Sequence, residues 1–379
     1  MDSSSSLTTR VPETSFSAVA HPKTGRERGA GFDRGARLER HAGLERGSSV
    51  DRNVPIDLDR SVPLALDRSV PLERTAHLER IAIPSKWADY RELTKPRIVT
   101  MILVTTMATA ILGGSAAGGA LLDWDAWLLL LFATGSVAAS AGAANQVWER
   151  VIDRQMARTQ NRPMADGRLS VPAALIFTAA LLLGGSLVLA WAFGPVPAGV
   201  AVATWLSYVV VYTPLKTRTA WNTTVGAVAG ALPVLIGYTA AGGTLGDPLG
   251  WLVFGVLAAW QYPHFMAIAW LYRRQYGEAG FRMTTTIHPG GLDAAIQSIA
   301  GSVALWAMAV GAAFCVGSGS FAVFASVLIS FSVAPMLVAS LRFFRHRDDA
   351  AARKMLRSSL LVLPAVLLVL TLGVCWPAT

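Results

Sequence analysis

From Ile98 onward, apolar stretches of about 20 residues recur to the end of the chain, and Lys and Arg are confined to every second connection between them. A helix needs about 20 apolar residues to cross roughly 30 Å of hydrocarbon. Only helices and closed barrels satisfy their backbone groups in lipid. The pattern therefore predicts an all-α, polytopic membrane protein with nine transmembrane helices. We place them at 98–118, 125–147, 171–192, 196–214, 222–241, 250–272, 294–316, 321–341 and 357–376. Gly- and Pro-containing breaks such as Gly113-Gly114, Gly194-Pro195 and Gly242-Gly243 separate several of them.

After Arg97 the basic residues fall in 150–168, 216–218, 273–282 and 342–357, the connections after the second, fourth, sixth and eighth helices. The connections after the first, third, fifth and seventh contain none. Positive residues stay on the cytoplasmic side. The N-terminus is thus expected inside and the C-terminus outside, with a central cavity opening to the cytoplasm.

Charge is unevenly spread. Residues 1–97 hold 31 charged side chains, and the remaining 282 residues hold only 26. Residues 1–85 carry no apolar run of membrane length, and they contain a short repeat, Leu58-Asp59-Arg60-Ser61-Val62-Pro63-Leu64 recurring at Leu66–Leu72. Such mixed-charge, Pro-punctuated sequence buries too little apolar surface to offset chain entropy. It is expected to be a disordered cytoplasmic extension before a membrane domain at 86–379. Its acidic residues argue against a mitochondrial transit peptide over the whole segment. The net charge of +9 is a matter of topology and anionic substrate, with no nucleic-acid partner implied. Cys315 and Cys375 lie in apolar runs, so neither a disulfide framework nor a cysteine zinc site is expected.

Four constellations interrupt this apolar background. Asn145, Glu149 and Asp153 are spaced four apart, on one helical face. Three oxygen-bearing side chains there suit a hard divalent cation such as Mg²⁺. The spacing serves equally well a helix end paired with its own Arg150, Arg154 and Arg158. The second is the loop from Ala157 to Met164, with Arg158 and Arg162, whose guanidinium forks match phosphate oxygens. The third runs from Tyr212 to Thr219, with Lys216 and Arg218, and reaches Asn222. Taken alone, the second and third also fit ordinary topogenic charge. The fourth is Trp260-Gln261-Tyr262-Pro263-His264-Phe265, followed by Gln275, Tyr276 and Arg282. Polar groups within a span are functional candidates, and Pro263 is expected to break the helix and free carbonyls toward a cavity. His264 could serve as base, hydrogen-bond partner, metal ligand or structural link. All four sit on one side of the membrane. A single cavity binding Mg²⁺ and a phosphorylated substrate explains them together.

These motifs, in this order, resemble the intramembrane aromatic prenyltransferase superfamily over roughly residues 88–376. Tyr90–Arg97 is similar to the family's entry to its first helix. Asn145–Asp153 with Met156–Thr159 and Arg162-Pro163-Met164 resembles its first metal–diphosphate motif. Thr213–Lys216 through Asn222, and on through Gly226–Pro233, resembles its second loop. Trp260–Phe265 and Ala279–Met283 are similar to the haem-modifying branch, the protohaem IX farnesyltransferases. The quinone and chlorophyll branches carry a second carboxylate motif in that region. Two departures stand out: Gln275 precedes Tyr276 where that family usually has Asp, and Lys216-Thr217-Arg218 lacks the usual double basic pair.

The resemblance implies a farnesyl transfer to the 2-vinyl group of protohaem IX with water addition, giving haem O. It implies Mg²⁺ on Asn145, Glu149 and Asp153, and diphosphate on Arg158, Arg162, Lys216 and Arg218. It also implies a substrate cavity with Tyr212, Asn222, Trp260, Gln261, His264, Gln275 and Tyr276, and a catalytic or haem-contacting role for His264. The bilayer and a downstream haem A synthase are the further partners it implies, in a bacterial inner membrane or, alternatively, a mitochondrial one. The competing readings are a prenyltransferase for a quinone precursor and a nine-helix transporter. No repeat between the helical halves supports the transporter.

Overall fold

The computed structural model describes residues 85–119, 121–317 and 319–376. The expected extension over 1–85 therefore lies, except for Ser85, outside the described residues. Ser85 itself accepts a hydrogen bond from the Ala88 N–H at 3.2 Å and caps a short helix, Lys86–Leu93.

Among the described residues nine helices are long and apolar enough to cross a membrane, as expected: Pro96–Ala116, Trp124–Asp153, Val171–Phe193, Pro195–Leu215, Asn222–Ala240, Pro248–Leu271, Leu292–Val316, Gly319–His346 and Asp349–Cys375. We refer to them as the first to ninth spans. The protein is a multi-pass membrane protein. Because successive spans alternate in direction, the basic connections all come to one end of the bundle, called here the basic end.

Several boundaries depart from the hydropathy reading. The second span continues six residues past 147, to Asp153, and its 30 residues make it about 45 Å long. It overshoots the hydrocarbon and carries Glu149 and Asp153 on its overhang, with Asn145 one turn before them. The expected loop over 342–357 is almost entirely helix, with only Arg347 and Asp348 between the eighth and ninth spans. Asp348 accepts from the Ala351 N–H at 2.7 Å and starts the ninth. Residues 351–357 are strong helix formers, and charge removes a segment from the membrane without unwinding it.

Two spans are irregular. The fourth contains a π-helical stretch, Ser207–Tyr212, just before the basic end, a feature common at functional sites. The fifth is two helices, Asn222–Ala231 and Pro233–Ala240, meeting at Leu232. Its second half packs on the first span so closely that a Cβ at Gly237 would collide with the Thr106 carbonyl. Such small-residue contact is how spans associate where lipid is as apolar as the helix.

The sixth span does not break at Pro263; it is continuous from Pro248 to Leu271. Proline removes the N–H that would bond the Ala259 carbonyl. The seventh span seals that gap with Gly301, where a Cβ would stand 2.8 Å from the Ala259 oxygen and 2.9 Å from Pro263 Cδ. The freed carbonyl thus faces a helix contact rather than a cavity. Cys315 and Cys375 are unpaired.

Candidate active site

Asn145, Glu149 and Asp153 do share one face of the second span, and they are 1%, 5% and 1% exposed. Each meets a cation from a different segment. Lys95 Nζ donates to Asn145 Oδ1 at 2.6 Å. Lys216 Nζ donates to Glu149 Oε1 at 2.7 Å. Arg162 donates to both Asp153 oxygens, at 3.0 and 2.8 Å. The first span's entry and the second and fourth connections therefore converge on one helix face.

The helix's own arginines do not serve it. Arg150 bonds the Val147 carbonyl, Arg154 the Ala165 carbonyl, and Arg158 the Tyr276 hydroxyl at 3.3 Å. That disposes of the helix-end alternative. Arg158 also lies 5.1 Å from the ring centre of Tyr272, a cation–π contact that steers the guanidinium without neutralising it.

Supporting bonds fix these positions. Asn145 Nδ2 donates to Thr213 Oγ1 at 3.1 Å, and that hydroxyl donates to the Tyr208 carbonyl in the π-helical stretch. Tyr212 is buried there, with Lys216 Nζ 4.7 Å from its ring centre. Asn222 Nδ2 donates to the Arg282 carbonyl at 2.9 Å, and the Arg282 N–H donates to the Lys216 carbonyl at 2.7 Å. The fourth and sixth connections are thereby stitched together. Thr159 Oγ1 donates to the Asp153 carbonyl at 3.0 Å, folding the second connection back toward its helix.

Two cations show opposite electrostatics. Burial, with Arg162 and Lys216 nearby, pulls the Lys95 ammonium down to about 7 despite Glu149 and Asp153. Burial also opposes the charge of Lys216, but Glu149, together with Tyr212 and Tyr208, holds this ammonium above the ordinary lysine range.

A cavity of about 670 Å³ opens beside the cluster, lined by Ala88, Arg91, Glu92, Lys95, Pro96, Arg97, Ile98, Gln146, Arg158 and Arg162. Gln146 donates to the Glu92 and Leu93 carbonyls, while its buried Oε1 has no partner. Lys95 is the residue whose contact with the cluster the sequence reading missed. It has φ 54°, rare for a side-chain-bearing residue, and the Lys-Pro step at a helix entry was the available signal.

The fourth motif lies elsewhere. Gln261 Nε2 donates to the Ala227 carbonyl of the fifth span at 2.9 Å. Trp260 Nε1 donates to the Ser359 carbonyl of the ninth at 2.6 Å, and His264 Nδ1 lies 2.9 Å from Ser359 Oγ. No hydrogen bond joins Trp260, Gln261 or His264 to the cation–carboxylate cluster. Arg218 is exposed and makes no ion pair among the described residues. Gln275 lines a separate cavity of about 350 Å³ with Tyr272, Arg273, Arg274 and Asp349. Tyr276 is buried and reaches the site through Arg158.

The chemistry available is plain. Two carboxylates and an amide oxygen on one face form a hard donor set that fits a cation of the Mg²⁺ class, with water and substrate oxygens completing it. Among the described residues no three His, Cys, Asp or Glu side chains gather to rival it. Around it stand Lys95, Arg158, Arg162 and Lys216, enough charge for an anionic leaving group.

The family model of UbiA prenyltransferases matches residues 106–371. The chain belongs to the UbiA prenyltransferase family. A protein from Rhodopirellula baltica named protoheme IX farnesyltransferase is 61% identical over 285 residues, 74% of this chain and 98% of that protein. One of the same name from Solibacter usitatus is 36% identical over 283 residues, 73% and 96% of the two chains. The UbiA fold is also seen in solved structures. That of a digeranylgeranylglyceryl phosphate synthase superposes with TM-score 0.60 at 16% identity, covering 77% of this chain and 99% of its own. A UbiA homologue from Archaeoglobus fulgidus bound to DMAPP and Mg²⁺ superposes with TM-score 0.53 at 16% identity, covering 74% and 99%.

Proposed function

We propose that this UbiA-family protein transfers the farnesyl group of farnesyl diphosphate to the 2-vinyl group of protohaem IX, with addition of water, to give haem O and diphosphate. The observation that carries the prenyl-transfer half is the convergence of three cations, Lys95, Arg162 and Lys216, on the Asn145–Glu149–Asp153 face. The haem half is supported by the Trp260–Phe265 motif and by the relative 61% identical over 98% of its length.

Asn145, Glu149 and Asp153 would hold Mg²⁺, which when bound supplies Lewis-acid stabilisation of the diphosphate. Arg162, Lys216 and Lys95 then turn toward the incoming anion, with Arg158 at the mouth. Their fixed charges stabilise the negative charge that grows on the diphosphate as the C1–O bond breaks. The electron pair leaves with diphosphate, and positive charge develops at C1 of the farnesyl group. The vinyl π-electrons form the new carbon–carbon bond to C1. Water adds to the resulting carbocation next to the porphyrin ring and loses a proton, leaving the hydroxyl. The apolar bundle keeps other water from C1 until that bond forms.

By the positive-inside rule the basic end is cytoplasmic, in a bacterial inner membrane, with the N-terminus inside and the C-terminus outside. The test is acceptor choice. The full chain in lipid nanodiscs, with Mg²⁺ and farnesyl diphosphate, should release diphosphate with protohaem IX and not with a hydroxybenzoate. Release with the hydroxybenzoate alone would assign the chain to quinone-precursor prenylation and overturn the reading.

A further inference from the structure

Thr94 and Lys95 link the short helix Lys86–Leu93 to the first span, and Lys95 makes the turn between them with φ 54° and ψ 60°. Among the described residues only Arg347 also combines a side chain with a positive φ. Glycine takes such a turn without strain, yet glycine has no ammonium to offer Asn145. A side chain persists in this conformation only where its surroundings over-determine it.

The second span supplies those surroundings. The last carbonyls of a helix lack N–H partners within it. The Glu92 carbonyl accepts from the Lys95 N–H at 3.1 Å, but Pro96 has no N–H to offer the Leu93 carbonyl. Gln146 Nε2 donates to both carbonyls, at 3.2 Å each. Both neighbours are acceptors, so Nε2 and not Oε1 must face them. Oε1 is left buried without a partner; the amide is held there for its donors. One turn earlier on the same face, Gly142 gives the linking residues room. A Cβ there would stand 3.3 Å from the Thr94 carbonyl oxygen and 3.5 Å from Lys95 Cδ. The short helix is anchored on its other side as well, where buried Asp89 accepts from Arg168 Nε at 2.8 Å.

Gln146 follows Asn145 directly in the chain. The side chain that fixes the turn and the side chain that Lys95 meets therefore ride on one turn of one helix. Lys95 Nζ reaches Asn145 Oδ1 at 2.6 Å. Gln146 makes no hydrogen bond to the carboxylates or cations of the site among the described residues. Its influence there can pass only through the backbone it holds.

We propose that Gln146 is a positioning residue for Lys95: its amide holds the left-handed turn that presents the Lys95 ammonium to the substrate diphosphate. This rests on Lys95 meeting the diphosphate, as proposed above, and deepens that reading by naming what aims the cation.

A double-mutant cycle on binding tests it. Equilibrium binding of radiolabelled farnesyl diphosphate with Mg²⁺ is measured on the full chain in nanodiscs, for Gln146→Met, Lys95→Met and the pair. Gln146→Met should weaken binding roughly tenfold, and in the Lys95→Met background it should weaken it no further. Gly142→Ala, which crowds the same turn from the neighbouring position, should also weaken binding and also lose its effect once Lys95 is Met. This variant carries the test if Gln146→Met fails to fold. Equal losses in both backgrounds, or no loss from a folded Gln146→Met, would overturn the positioning role while leaving the diphosphate reading intact. Wild-type affinity in Lys95→Met would instead overturn the reading that Lys95 meets the diphosphate.

Discussion

The Lys216 ammonium sits 2.7 Å from Glu149 Oε1, a buried ion pair that joins the fourth connection to the second span. Both partners are also wanted by the proposed chemistry, the carboxylate by a divalent cation and the ammonium by a diphosphate. Substrate binding thus exchanges one set of charge pairs for another. The exchange spares the site from leaving either charge bare in a low-dielectric interior.

Removing one partner should separate stability from catalysis. Lys216→Met leaves Glu149 buried without its cation, and unfolding in detergent should show a loss of about 3–5 kcal/mol. Glu149→Gln combined with Lys216→Met should recover most of that stability. Turnover should stay abolished in the double variant. Recovery of turnover along with stability would mean that the pair only holds the fold.

Asn145→Ala and Asp153→Ala should each abolish diphosphate release while membrane insertion and yield stay normal, measured on matched nanodisc preparations. Near-wild-type release from either variant would remove the donor set from the mechanism.

Lys95 offers a pH readout. Its ammonium is pulled down to about 7, so without Mg²⁺ and substrate the amine is neutral above that pH and charged below it. Acylation of Lys95, followed by peptide mass spectrometry, should rise with pH around a midpoint near 7. Exposed lysines should respond only well above it, near the ordinary value of about 10.4. Mg²⁺ with farnesyl diphosphate should protect Lys95. A midpoint in the ordinary lysine range would contradict the electrostatics described.

Gly301 makes a prediction about the fold. It meets Pro263 and the Ala259 carbonyl with no room for a side chain. Gly301→Leu should push the sixth and seventh spans apart, costing about 1–3 kcal/mol or more, seen as a lower unfolding midpoint. Ser302 next to it already bonds Ser340 of the eighth span, so the damage should spread to that contact.

Gln275 stands apart from the carboxylate face, on its own cavity. Gln275→Asp should therefore change turnover by no more than about twofold, within ~0.5 kcal/mol. A large loss would show that Gln275 has a role of its own.

Much of this architecture is legible in the residues. Hydrophobic runs and the arginine alternation locate all nine spans, and the spacing of Asn145, Glu149 and Asp153 puts them on one face. Three things were not legible. Hydropathy ends a span where charge begins, so the helical start of the ninth span falls within the expected loop, and the second span's hydropathy limit stops at 147 although the spacing of Asn145, Glu149 and Asp153 carries the helix on to Asp153. Pro263 reads as a break because its compensating partner, Gly301, lies 38 residues away in sequence. Lys95 reads only as part of a helix entry: its Lys-Pro step marks the bend, but the residue it meets, Asn145, lies 50 residues away in sequence.

The most direct test of the central claim is the mass of the product formed from protohaem IX, farnesyl diphosphate and Mg²⁺ by the full chain in nanodiscs. The account predicts a haem heavier by one farnesyl group and one hydroxyl group, with the hydroxyl oxygen labelled when the reaction is run in H₂¹⁸O. Unchanged protohaem, from a folded preparation with both substrates present, would contradict it.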